Sequence, residues 1–186
     1  MPSDLQVDNI KDGSATKTLA EYSSSAWSWG SGVPAGSVLQ VVHFEETETN
    51  TLTTSWVNYY EKSFTLKSSS SDVYITHVWQ YRADGNSGHG ARIYRHSSAT
   101  VTTSHNAVWT KNQENSGGDP WSIYSANDDI SGIASIEAKD TVTGFSAGDT
   151  IYYGFFYRKA GTPAVYVPHN DHQDGFFATH FYEVAK

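Results

Sequence analysis

Short bursts of period-two alternation run along the chain, separated by polar turns. In "DVYITHVWQYR", Val73, Ile75, His77, Trp79 and Tyr81 share one side of an extended backbone, and Tyr74, Thr76, Val78, Gln80 and Arg82 share the other. "IYYGFFYR" behaves alike, with Ile151, Tyr153, Phe155 and Tyr157 on one side and Tyr152, Phe156 and Arg158 on the other. In both segments the second side also carries apolar groups. Either long side chains lie against the sheet rim, or that side meets a subunit or ligand surface. Six further segments have strand character: "SVLQVVHFEETET", "NYYEKSFTL", "GARIYRHSS", "GIASIEAKDTV", "AVYVP" and "GFFATHFYEVA". Turn-type runs punctuate them, such as "SSSSD", "ADGNSGHG", "NQENSGGDP", "SAGD" and "HNDHQDG". About eight strands joined by polar, Gly-rich turns predict an all-β fold, an antiparallel sandwich or barrel with a jelly-roll-like form preferred.

Residues 1–36 break the pattern. "MPSDLQVDNIKDGSATKTLAEYSSSAWSWGSGVPAG" is rich in Ser, Gly and Ala and lacks sustained periodicity. It reads as an extended N-terminal arm that buries too little apolar area to fold alone, followed by a sandwich domain over 37–186. Trp27 and Trp29 lie two apart and so share a side, placed either to anchor the arm in a groove or to pack within the chain.

Composition narrows the function. A formal net charge of −8, with 12 Lys and Arg, argues against a nucleic-acid surface, which needs concentrated positive charge. The absence of cysteine excludes disulfides, thiolate zinc sites and cysteine nucleophiles. No apolar run is long enough for a membrane-spanning helix, and the first residues do not resemble an export signal, so a soluble protein made in the cytoplasm is expected.

Candidate chemistry is sparse. "GNSGHG" lacks the Lys-Ser/Thr of a phosphate loop and reads as a hairpin. Neither GxSxG nor HExxH occurs. Glu45 and Glu46 are adjacent and point to opposite sides of a strand, so they are no glycosidase pair. The densest stretch is "HNDHQDGFF". His169, Asp171, His172 and Asp174 are admissible metal ligands, and the same Asn, Asp and Gly content is what a plain turn requires. Both readings stay open, with no cofactor as the leading expectation and a divalent cation as its alternative. His89, His96, His105 and His180 are scattered and read as surface groups. Trp109 and Trp121 flank a polar loop where they could stack on sugar rings or pack into the core.

Three features together resemble small virion structural proteins, described as tail-fibre-like, of tailed bacteriophages of marine bacteria and cyanobacteria. They are the opening "LQVDNIKDGS", the domain start "AGSVLQVV" and the closing run "GDTIYYGFFYRKAGTPAVYVPHND…FFATHFYEVAK". On this chain the attachment signature falls on Leu5, Val7, Asp8, Ile10 and Asp12, with Trp27 and Trp29 as anchors. The domain start covers Gly36 and Val38 to Val42, a serine hairpin covers Ser68 to Ser71, and the terminal strand carries Glu183, Val184 and Ala185. The resemblance implies a non-enzymatic homotrimeric jelly roll in the virion, attached to other virion proteins through residues 1–36. Loops around 83–90, 112–120 and 168–175 would meet a host-surface glycan, and the aromatic second sides of 73–82 and 151–158 would face other subunits. The alternative function is a free carbohydrate-binding module or lectin. A polysaccharide-cleaving enzyme ranks below both.

Overall fold

The computed structural model describes residues 33–85, 87–109, 131–168 and 175–186 fully, and the backbone alone of 9–11, 18–23, 26–29, 123–124 and 130. Among these residues there is no helix, and every strand pairing is antiparallel. The all-β antiparallel expectation holds.

The N-terminal segment is more ordered in backbone than an extended arm. β1 (Asn9–Lys11), β2 (Thr18–Ser23) and β3 (Ala26–Trp29) form their own three-stranded sheet, with Tyr22 opposite Trp27 and Ala20 opposite Trp29. Ser, Gly and Ala obscured the pattern, but β2 and β3 still contain Thr, Tyr and Trp, which suit a pleated surface.

The remaining strands are β4 (Val38–Glu46), β5 (Asn50–Thr51), β6 (Val57–Thr65), β7 (Ser71–Ala83), β8 (Gly88–His96), β9 (Asn106–Trp109), β10 (Ile123–Tyr124), β11 (Ile130–Asp140), β12 (Thr150–Ala160), β13 (Val165–Val167) and β14 (Phe177–Ala185). One sheet runs β4-β14-β7, with β11 along the far side of β7 and the short β13-β5 pair extending it at Ala83. The other runs β6-β12-β8, with β9 and β10 both on the outer side of β8. The pairing is nested: the first long strand meets the last (β4 with β14), β6 meets β12, β7 meets β11, and β8 meets β9 and β10. Two further pairings, β14 with β7 and β12 with β8, join these couples side by side.

The sides assigned from alternation are the ones observed. Val73, Ile75, His77, Trp79 and Tyr81 from β7 and Ile151, Tyr153, Phe155 and Tyr157 from β12 are all buried in one core. Rings from opposite sheets interdigitate: Phe64 with Phe181 at 5.4 Å between centroids, Tyr60 with Phe177 at 3.8 Å, and Trp79 edge-on to Tyr157 at 5.5 Å. Such pairs fix the spacing of two packed sheets and add to the hydrophobic term.

Polar groups within this core are partnered. His77 Nδ1 lies 2.7 Å from Thr179 Oγ1, and its Nε2 contacts the Tyr157 hydroxyl. Trp79 Nε1 donates to His89 Nε2 at 3.0 Å. His89 is therefore a core group and not a surface histidine. "GHG" reads as a turn, yet it is the start of β8, where small neighbours leave room for the Tyr81 ring 4.6 Å from the imidazole. Burial lowers both His77 and His89 to about 3 and so keeps them neutral. Arg95 reaches across to Asp140 at 3.0 Å, and Tyr153 donates to the same carboxyl at 2.9 Å. Burial raises Asp140 despite the opposing pull of Arg95 and of the Tyr153 hydrogen bond.

A second buried knot closes the sheet. The Glu183 carboxyl, fully buried on β14, accepts hydrogen bonds from Lys67 N at 2.9 Å, Ser68 N at 2.8 Å, Ser71 Oγ at 2.8 Å and Gln40 Nε2 at 2.6 Å. Three motifs distant in sequence, Gln40, Ser68 to Ser71 and Glu183, thus meet at one carboxyl.

Removing that carboxyl strands several buried donors, each costing about 1–3 kcal/mol when unpaired. Glu183→Ala is expected to lower stability by about 3 kcal/mol or more and Tm by about 6–12 °C, with Glu183→Gln milder. Calorimetry on both variants checks this, and an unchanged Tm in Glu183→Ala would remove the carboxyl from the account. The buried histidines set a pH dependence. Their folded values lie below the ordinary 6.5, so the stability they carry is present above pH 6.5 and drains as pH falls toward 3, by up to about 1.4 kcal/mol per pH unit for each. Asp140 has the opposite sign, because its raised carboxyl favours the folded state once protonated, but that acts lower, nearer the carboxyl range. Urea midpoints should therefore drop between about pH 7 and pH 5. A flat midpoint across that range would mean that the two imidazoles are not held neutral by the fold.

Candidate functional site

Strand directions sort the connections into two ends. The 47–56, 84–87 and 161–176 connections leave one end, where β13 and β5 also sit. The chain enters β4 at the opposite end and finishes there, with Gly36 N bonded to Ala185 O at 2.8 Å and Lys186 Nζ on Asp72 at 2.8 Å. Segment 1–36 therefore joins the domain at the end remote from two of the three loop regions singled out in the sequence, 83–90 and 168–175. Within 83–90, the connection proper is 84–87, because Gly88, His89 and Gly90 belong to β8.

Few of the individual candidates come together. Leu5, Val7, Asp8, Trp121, His169, Asp171, His172 and Asp174 lie outside the described residues, as does 112–120. Ile10, Trp27 and Trp29 are placed in backbone only, in β1 and β3. Trp109 ends β9 opposite Ile93 and packs, half-buried, against the main core, the packing alternative of the two considered for it. Among the described residues no three His, Asp or Glu gather as a metal site. The buried imidazoles of His77 and His89 serve the core.

The outer faces of the two sheets differ sharply. On the β6-β12-β8 sheet the second side of β12 is covered by the chain itself: Phe156 is 4% exposed and packs with Tyr94 and Val101, with Trp56 and Tyr152 alongside. Arg92 and Arg158 lie over the Trp56 ring at 4.2 and 5.1 Å. The apolar second side expected on 151–158 exists, and residues 56 and 101 occupy it.

The outer face of the β4-β14-β7-β11 sheet carries no such cover among the described residues. Cross-strand register places Val41, Tyr182, Tyr74 and Lys139 in one row, and His43, His180, Thr76 and Glu137 in the next. Val38 opposite Val184 extends the face at one end, and Ile133 opposite Gln80 extends it at the other. The exposed large apolar side chains among the described residues, Val38 (53%), Val41 (53%), Tyr74 (41%) and Ile133 (62%), all belong to this face. Its polar members are paired within the face. His43 and His180 have ring centroids 4.3 Å apart, and His43 Nε2 lies 3.1 Å from Glu45 Oε1. Lys139 Nζ sits 5.5 Å from the Tyr74 ring centroid and 2.7 Å from Asp72. Burial alone would raise the Asp72 carboxyl, but hydrogen bonds from Lys139 and Lys186 leave it below its ordinary value. An apolar centre among self-neutralised charges suits contact with protein more than chemistry. In sequence, only the β7 part of this face was legible, through Tyr74 and Val78.

No protein-family model matches the chain, and no curated protein matches it. Among solved structures, one described as "Structure of infectious bursal disease virus Gx strain" aligns with 91% of this chain at 11% identity and a TM-score of 0.28. The chain spans about half of that chain's length, 47%. At that TM-score the likeness carries no weight, and the description of the fold rests on the strand pairing alone.

Proposed function

We propose that this chain is a non-enzymatic structural subunit of a virus particle, a jelly roll that associates with copies of itself through the outer face of the β4-β14-β7-β11 sheet. One observation carries the assembly reading: the exposed large apolar side chains among the described residues gather on that single face, while the other sheet is covered by its own chain. The jelly-roll reading is supported by the nested pairing, which is what a ribbon of eight antiparallel strands gives when rolled into two sheets. A subunit stacked about a symmetry axis buries one such face, and a homotrimer is the form we favour. The virion setting draws on the sequence resemblance to tail-fibre-like phage proteins. In that setting 1–36 mounts the domain on other virion proteins at one end and leaves the far loops turned outward, where Trp109 and Trp121 are candidates for contact with a host glycan.

The test is solution mass by light scattering on the full chain and on Val41→Asp/Ile133→Asp. Charges at exposed strand positions cost little folding stability, within about 0.5 kcal/mol each, so the variant should keep its Tm. A trimer for the parent chain and a monomer for the variant are expected. A monomeric parent, or a variant with the parent's mass, would defeat the assembly reading and favour a free binding module. Deleting residues 1–36 should leave the domain folded and abolish incorporation into particles.

A further inference from the structure

The connection between β8 and β9, residues 97–105, lies as a strap on the outer face of the β6-β12-β8 sheet. Val101, 3% exposed, packs with Phe156 and Tyr94. Its neighbour Thr100 has φ 70°, the single positive value at a non-glycine among the described residues. A β-branched residue is a clear outlier there, so the strap is held down against local backbone strain.

The clamps are identifiable. Glu61 on β6 accepts from Thr100 N at 3.0 Å and Val101 N at 2.7 Å, and Asn58 Nδ2 donates to Val101 O at 3.2 Å. The seat has no spare room: a Cβ on Gly154 would stand 2.9 Å from Val101 Cβ and 3.0 Å from Asn58 Nδ2. Both ends are pinned by histidines. His96 Nδ1 accepts from Ser98 N at 3.2 Å and lies 2.8 Å from Ser98 Oγ, and His105 Nδ1 accepts from Thr102 N at 3.0 Å. The two rings stack, with centroids 3.8 Å apart and planes 12° from parallel. Accepting through Nδ1 requires that this nitrogen carry no proton.

We propose that residues 97–105 form an acid-released cover: proton uptake by His96 and His105 lifts the strap and bares Tyr94 and Phe156 beside Trp56 and Tyr152. Imidazole is the side chain that changes charge between pH 5 and 8. Protonation sets two cations face to face at stacking distance. It also turns both Nδ1 atoms from acceptors into donors, leaving Ser98 N and Thr102 N without their partners. On His96 the new proton would find the Ser98 carbonyl at 3.3 Å, one longer contact in place of two. The surrounding charges do not offset this. Glu61 faces the strap from β6 and directs both oxygens at the Thr100 and Val101 amides. Lys62, next to it, pairs with Glu46. From the β11–β12 connection, Asp149 shares a polar cleft of about 540 Å³ with Ser97, Asn106 and Tyr152, but its Oδ2 accepts from Ser146 N. Arg95, beside His96 on β8, is bound to Asp140. The sign follows: the open strap takes protons more readily than the closed one, so the closed population is full at neutral pH and falls on acidification.

Amide hydrogen exchange, corrected for its intrinsic pH dependence, tests the cover directly. Between about pH 7.5 and pH 5, protection at Ser98, Thr100, Val101 and Thr102 should fall by about tenfold or more, while β7 and β12 amides stay protected. The fluorescence of added 1-anilinonaphthalene-8-sulfonate should rise in parallel. His96→Asn/His105→Asn keeps an acceptor oxygen near each Nδ1 position but cannot titrate, so its strap should remain protected at both pH values. Gly154→Ala should bare the patch at neutral pH without touching a titrating group. The proposal is overturned if strap protection is unchanged at pH 5, if the double Asn variant responds like the parent chain, or if core amides lose protection together with the strap.

Discussion

The closure of this fold turns on a buried carboxyl. Glu183 sits on the last strand and takes hydrogen bonds from the first long strand through Gln40 and from the β6–β7 crossover through Lys67, Ser68 and Ser71. Those three elements have to be brought together when a ribbon of strands is rolled up, because the outermost couple must be laid beside the next one in. Apolar packing cannot specify that register alone, since one pleated surface slides readily over another. A carboxyl with several directional donors fixes it within a residue. The same knot explains why a glutamine, a serine run and a glutamate, each unremarkable alone, occur in three separated motifs.

Packing then distributes the remaining constraints unevenly. The inner faces are filled by aromatic rings and by polar groups that satisfy one another, so the histidines there are structural and neutral, and a chemical role would require breaking the core. The outer faces are left to do different things. One is closed over by Trp56 and Val101, with Gly154 kept bare of a side chain so that the strap can lie flush. The other has no such cover in the described structure and holds apolar groups among paired charges.

How much of this could be read from the sequence depended on distance along the chain. Alternation is a local property, and it correctly separated core from outer sides in 73–81 and 151–157. It failed where strands are short or glycine-rich. "NAVW" is too brief to show a period, and "GHG" looks like a turn because the bulk that packs against His89 belongs to Trp79 and Tyr81. It also could not say what covers the second side of β12, since the covering residues arrive from the 52–56 and 97–105 connections. The exposed face was half-visible for the same reason. Tyr74 stands out of step within its own strand, but Ile133 is recognisable as outward only once Gln80 is known to lie opposite it. The motifs supplied the residues of the Glu183 knot without their geometry.

Charge bears on the proposed assembly as well. Copies of a chain with a net charge of −8 repel one another at long range, so any face through which they meet must be locally balanced. The outer face of the β4-β14-β7-β11 sheet fits that requirement. Glu45 is matched by His43, Asp72 by Lys139 and Lys186, and Val38, Val41 and Ile133 lie between or beside these pairs. Burying such a face would sacrifice few unpaired charges, whereas the guanidinium groups stacked on Trp56 make the opposite face dearer to dehydrate. The two faces are thus distinguished by electrostatics as well as by cover, and both distinctions favour the same face for contact between subunits.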